Sequence, residues 1–269
     1  MKLKMMCLKC FSETEDLPNG PRIYHGFVIV GNDATCHLSC PKGHQTITVL
    51  TQQNFEVLLA LGTYAIVDGY YREAVSSFAS SLERFYEYYI KVIAIKHGVS
   101  TDELKNAWDK IGKQSERQLG SFIFSYLLEN KKAPDVLPSK KVEFRNEVIH
   151  KGLIPTRTKA EEFGVIVLQL IRSHYSQLSE VSYEAMGELY TSNMLSIVTA
   201  IKKDTDQHPG TYSNPRLSPL FPNFDDEEPN TLKDELERVT QIRRQQAKYP
   251  YGYWTEGRVM QFVEPAEEF

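Results

Sequence analysis

From Ala74 to Ile93 the apolar residues return at steps of three and four: Ala74, Val75, Phe78, Ala79, Leu82, Phe85, Tyr86, Tyr89, Ile90 and Ile93. A helix of about 3.6 residues per turn gathers such positions on one face, so the spacing predicts a long helix with a buried stripe, ending at Gly98. So wide a stripe has to be covered by other helices, and the flanking sequence supplies them. The helical pattern opens at 55–61. Thr101 starts a further helix that reads through 120–128 before Pro134 and Pro138 break it. Ser139 is placed to cap a short helix that Gly152 and Pro155 end, and Thr158 with Glu161 has capping-box form. That box starts two last long helices, 159–180 and 182–203, around Val165, Leu168, Leu170, Ile171, Leu189 and Ile197. The prediction for 53–203 is an α-helical bundle, in a chain that is mainly α.

Residues 1–52 follow a different pattern. Two short alternating runs, 24–30 and 45–50, read as strands, and all four cysteines fall within the first 40 residues. Four cysteines in 269 residues is far below the density of a disulfide scaffold, and their clustering points to a metal. Cys7 and Cys10 form a C-x-x-C pair, followed by Cys36, His37, Cys40 and His44. Zn²⁺ takes four sulfur or nitrogen ligands at tetrahedral positions, which two short turns joined by a hairpin deliver without a large core. Cys40-Pro-Lys-Gly-His44 has that form, the proline stiffening the turn and the glycine free to take a positive φ. The preferred ligands are Cys7, Cys10, Cys40 and His44, with Cys36 the alternative to His44. The segment resembles a zinc ribbon. No H-x-E or H-E-x-x-H arrangement accompanies it, which makes the expected Zn²⁺ structural rather than catalytic.

The short helix predicted after Ser139 holds the second cluster, Phe144-Arg145-Asn146-Glu147-Val148-Ile149-His150-Lys151. Arg145 offers a fixed cation and His150 an imidazole able to exchange protons near neutrality. Cleavage of a phosphodiester by its own 2′-hydroxyl needs those two groups and no metal. Along a helix Arg145 and His150 stand about 140° apart, whereas Asn146 and His150 are stacked, so an Asn146 amide is placed to orient the imidazole. Arg145-Asn146-x-x-x-His150 in a bundle of this length resembles the motif of the HEPN superfamily. The resemblance covers about residues 55–200 and implies a metal-independent endoribonuclease that works as a homodimer on single-stranded RNA or tRNA. It also implies a toxin or antiviral-defence effector in the cytoplasm, with an antitoxin or activating partner. Its upstream acidic residue matches Glu83. The alternative on the same scaffold is a non-catalytic dimerisation or adaptor module that binds nucleotide, RNA or a protein.

Charge adds to the nucleic-acid reading. Residues 131–159 carry eight basic side chains against three acidic ones in a chain of net charge −4, and Lys140, Lys141, Lys151 and Arg157 are the expected RNA contacts. Tyr70, Tyr71, Tyr86, Tyr88 and Tyr89 read as core or dimer-contact residues rather than base-stacking ones, and His25, His37, His97, His174 and His208 have no catalytic partner spacing. The remaining 204–269 reads as an irregular, acidic extension with one polar helix at 231–246 and an aromatic cluster, 249–254, that docks on the bundle or a partner. No apolar run nears the about 18 residues of a membrane span, and the N-terminus lacks a leader pattern.

Overall fold

The computed structural model describes residues 2–13, 22–31, 34–205, 209–213, 231–256 and 259–262. In chain order the elements are β1 (Lys2–Met6), α1 (Leu8–Ser12), β2 (Arg22–Ile29), β3 (Thr35–Ser39), β4 (Gln45–Leu50), α2 (Asn54–Val67), α3 (Tyr71–Lys96), α4 (Thr101–Ile111) and α5 (Ser115–Asn130). They continue with α6 (Ser139–His150), α7 (Arg157–Asp204), β5 (Gly210–Tyr212), α8 (Leu232–Lys248), β6 (Tyr253–Glu256) and β7 (Val259–Phe262). The protein is mainly α, with a small N-terminal β region. It divides into two compact units, one of Met1–Thr51, Leu195–Asn214 and Arg238–Phe269, the other of Gln52–Met194 and Pro215–Glu237.

In the helical unit α3 is the central element, packed against α2, α4, α5 and α6. The stripe read from the sequence is its buried face: Ala74, Val75, Phe78, Leu82, Phe85, Tyr86 and Tyr89 all lie in one core with Phe55, Phe122, Phe163 and Ile171. Tyr88 joins this core and Tyr71 packs partly buried against it, whereas Tyr70, at the cap of α3, is exposed and not a core residue. α2 begins with a capping box in which the Gln53 N–H donates to the Glu56 carboxylate at 2.7 Å. Ser81 ties α3 to α2 by donating its hydroxyl to the Phe55 carbonyl at 2.6 Å.

Three helix boundaries differ from the sequence reading. The helix expected through 101–128 is two, because α4 stops at Gly112, whose carbonyl accepts from the Gln118 amide at 2.7 Å. Ser139 is already helical, and Pro138 in extended conformation is the cap. α7 is capped by Thr156 rather than Thr158, through Lys159 N–H donating to Thr156 Oγ1 at 3.4 Å. α7 runs on to Asp204 with one break, Ser182 at φ −140° and ψ 24°, where the sequence places the end of one helix and the start of the next.

The other unit holds two sheets. β1, β2, β6 and β7 pair antiparallel in that order, and β3, β4 and β5 form the second sheet, with β5 parallel to β4. Reading 204–269 as an irregular extension with a single helix is therefore corrected. Its helix is α8, while β5, β6 and β7 complete sheets begun near the N-terminus. Local sequence does not announce this, since a four-residue strand is stabilised by partners about 230 residues away rather than by its own propensity. The aromatic cluster docks on β2: His25 stands opposite Tyr253, Tyr24 donates to the Tyr251 carbonyl at 2.6 Å, and Trp254 meets Tyr24 edge-on. The acidic run 225–228 and His208 lie outside the described residues.

Candidate functional site

The thiols of the β unit converge because two local structures aim them inward. Cys7 is the N-cap of α1, and the Cys10 N–H points to Cys7 Sγ at 3.4 Å. Across from it the chain leaves β3 and reverses, the Cys40 N–H donating to the His44 carbonyl at 3.0 Å and the Gly43 N–H to the Cys40 carbonyl at 2.8 Å. Gly43 takes φ +80°, the left-handed conformation the turn demands. The ligand atoms of Cys7, Cys10, Cys40 and His44 all lie within 4.8 Å of one another.

Their spacing is that of a tetrahedral metal site. Zn–S bonds of about 2.3 Å and Zn–N bonds of about 2.0–2.1 Å at tetrahedral angles need S–S edges of about 3.8 Å and S–N edges of about 3.6 Å. Cys10 Sγ is 3.7 Å from Cys40 Sγ, and His44 Nδ1 is 3.4 Å from Cys10 Sγ and 3.7 Å from Cys7 Sγ. Burial pushes the Cys10 thiol up to about 12, helped by hydrogen bonding with Cys7 and Cys40 and by the Cys7 charge. A thiol held protonated in this way ligates only when a metal ion displaces its proton. Cys36 is excluded from the cluster by strand geometry. It is buried on β3 opposite Thr48, four residues and so about 13 Å of strand before Cys40.

In the helical unit, α3 and α6 bring the second set together. Arg145 Nη2 donates to Glu83 Oε1 at 2.5 Å and Arg145 Nη1 to Asn146 Oδ1 at 2.9 Å. The guanidinium is thus held from two sides, and among the described residues Nε–H and one proton on each terminal nitrogen have no partner. α6 is seated by Val148, fully buried, and by Phe144 against Phe163. Its end is set by Gly152 at φ +74°, which lets both the Lys151 and Leu153 N–H groups donate to the Glu147 carbonyl at 3.1 Å. His150, the last helical residue, is exposed and its ring makes no hydrogen bond among the described residues. The expected Asn146–His150 contact is not formed, because the Asn146 oxygen is engaged by Arg145.

The basic segment is less free than its composition. Lys141 pairs with Glu162 at 3.2 Å and Arg157 with Glu161 at 2.7 Å, while Lys131 donates to the Leu128 carbonyl at the end of α5. Glu83, Glu161 and Glu162 all lie outside the 131–159 window, which is why a count along the chain overlooks them. Lys140, Lys151 and Lys159 are exposed and form no ion pair among the described residues. From α7, His174 is buried among Phe85, Phe122 and Tyr126 and holds the Asp135 carbonyl at 2.8 Å from Nε2, pinning the loop that leads to α6. Burial holds its pKa below the ordinary histidine value.

Two contributors escaped the sequence reading. His174 carries no motif signal, and Glu13, which meets His44 Nε2 at 3.1 Å, lies three residues past Cys10 with only that spacing to mark it. No family model, curated protein or solved structure matches this chain. No described helix is long and apolar enough to cross a membrane.

Proposed function

We propose that the protein is a metal-independent endoribonuclease of the HEPN type whose β unit is folded around one structural Zn²⁺. The observation that carries the nuclease reading is the clamp on Arg145: Glu83 from α3 and Asn146 from its own helix orient the guanidinium, and His150 stands open to solvent at the end of the same helix. In the proposed reaction the 2′-oxygen of RNA bonds to the adjacent phosphorus and the 5′-oxygen leaves, giving a 2′,3′-cyclic phosphate and a 5′-hydroxyl. Arg145 neutralises the non-bridging oxygens, and His150 either takes the 2′-hydroxyl proton or supplies one to the leaving oxygen. A single imidazole does one of these at a time, so a two-fold homodimer, which provides a second, suits the chemistry. Lys140 and Lys151 would bind the flanking backbone, with Lys141 and Arg157 exchanging their carboxylates for phosphates.

Three thiolates and one imidazole at tetrahedral edges favour Zn²⁺ over harder ions, and four protein ligands leave no open position for catalysis. A cytoplasmic toxin or antiviral effector, controlled by an antitoxin or activator, follows from the family resemblance. The test is cleavage of end-labelled single-stranded RNA and tRNA in excess EDTA by the wild type and by folded Arg145→Ala and His150→Ala proteins. The expected result is cutting by the wild type alone, with cyclic-phosphate ends. RNA binding without cutting by all three would favour the adaptor reading, and equal cutting by all three would refute the assignment.

A further inference from the structure

We propose that Glu13 is the positioning residue of the metal site, fixing which nitrogen of His44 faces the metal. The inference rests on the reading of Cys7, Cys10, Cys40 and His44 as a Zn²⁺ site. Neutral imidazole carries one proton on either ring nitrogen, and only the bare nitrogen can ligate. In this structure Nδ1 faces the sulfurs, at 3.4 Å from Cys10 Sγ and 3.7 Å from Cys7 Sγ, while Nε2 lies 3.1 Å from Glu13 Oε2. A carboxylate at that distance accepts the Nε2–H, which selects the tautomer whose Nδ1 lone pair points into the cluster. It also stops the ring from turning over and strengthens Nδ1 as a donor.

The source of the carboxylate is the second argument. Glu13 is the C-cap residue of α1, its N–H donating to the Lys9 carbonyl at 3.0 Å. The same short helix is capped by Cys7 and carries Cys10, so one turn and a half of chain delivers two thiolates and the group that orients the histidine. The other two ligands, Cys40 and His44, come from one turn, and Glu13 is therefore the link that registers one turn against the other. The Glu13 side chain is half-exposed, 46%, so replacing it opens no core.

The experiment uses the full chain, loaded with Zn²⁺ and titrated against a chromogenic chelator, as wild type, Glu13→Gln and Glu13→Ala. Loss of an outer-shell partner of this kind costs about 10–100-fold in metal affinity, and that is the loss expected for Glu13→Ala. Glu13→Gln keeps an acceptor oxygen and is expected to recover part of it. A second readout comes from ¹⁵N-labelled histidine: His44 of the loaded wild type should show a metal-bound Nδ1 and an Nε2–H protected from exchange, with the protection lost in Glu13→Ala. Wild-type affinity in Glu13→Ala with the Nε2–H still protected, or ligation through Nε2, overturns this proposal and leaves the metal site standing. A wild type that takes up no metal overturns both.

Discussion

Gly62→Ala is expected to destabilise the helical unit, although a glycine-to-alanine change inside a helix ordinarily stabilises by about 1 kcal/mol. The reason is Phe78. This ring is fully buried, and a β-carbon built on Gly62 of α2 would lie 2.5 Å from Phe78 Cε1, while one on Gly164 of α7 would lie 2.6 Å from Phe78 Cε2. Carbon atoms pack at about 3.5–4.0 Å, so each methyl falls about 1 Å short of the space it needs. The ring cannot yield to one side, because the other glycine's backbone stands there, and α3 must move instead. Overpacking costs about 1–3 kcal/mol, and a clash that has to displace a helix belongs at the upper end, leaving a net loss of about 2 kcal/mol. For a unit of this size that corresponds to a melting point lower by roughly 4–8 °C. Urea unfolding of wild type, Gly62→Ala, Phe78→Leu and the double variant tests it, since replacing the ring by a shorter, more flexible side chain should reduce the cost of Gly62→Ala. A Gly62→Ala protein as stable as wild type, or a cost unchanged in the Phe78→Leu background, would refute the argument. Because Glu83 sits on the same helix one and a half turns beyond Phe78, this packing also sets where the Arg145 clamp forms.

Metal removal should unfold the β unit, since structural Zn²⁺ contributes about 10–16 kcal/mol, as much as the whole stability of an ordinary domain. Trp254 reports it: its ring lies under Arg22 at 4.8 Å and Lys42 of the Cys40–His44 turn at 5.6 Å. In a Trp108→Phe background chelation should shift the remaining tryptophan emission to the red, and an unchanged spectrum after the metal has left would contradict the coupling. His25 sets an acid limit in the same unit. Burial and then the Lys4 charge lower its pKa from 6.5 to about 4, so the unfolded chain binds the extra proton first as pH falls. Stability from this group is complete above about pH 6.5 and is lost progressively towards pH 4, by roughly 1–2 kcal/mol once solvent screening of the partly exposed ring is allowed for. His25→Phe, which keeps a ring against Tyr253, should show a shallower loss between those limits, measured as the difference from wild type so that acid release of the metal cancels. Equal slopes would show that the partial burial of His25 does not oppose its protonation.

What was legible in the chain was whatever a short window encodes. The stripe on α3 follows from spacing alone, and β4 from alternation over six residues. The junction between helices 159–180 and 182–203 falls within a residue of the break at Ser182. The Cys40–His44 turn is legible from its proline and glycine. What was not legible depends on partners remote in sequence. β6 is a strand because β2 is there to pair with it, and Lys141 and Arg157 are neutralised by Glu162 and Glu161, beyond the basic segment that names the patch. The end of α4 at Gly112 had no proline to announce it and depends on a side-chain amide from the next helix.

The two chemistries fall in different units, and that separates them experimentally. Cys7, Cys10, Cys40 and His44 belong to the β unit, and Glu83, Arg145, Asn146 and His150 to the helical one. A chelator therefore addresses the first set directly and the second only through whatever the β unit contributes to substrate or partner binding. If the nuclease reading holds, the Arg145 clamp needs no ion to form, because its charges are balanced within the helical unit by Glu83. Loss of cleavage on chelation would then appear as weaker RNA binding with an undiminished turnover at saturating RNA. A fall in turnover itself would place a metal in the chemical step, which an Arg–His mechanism does not accommodate.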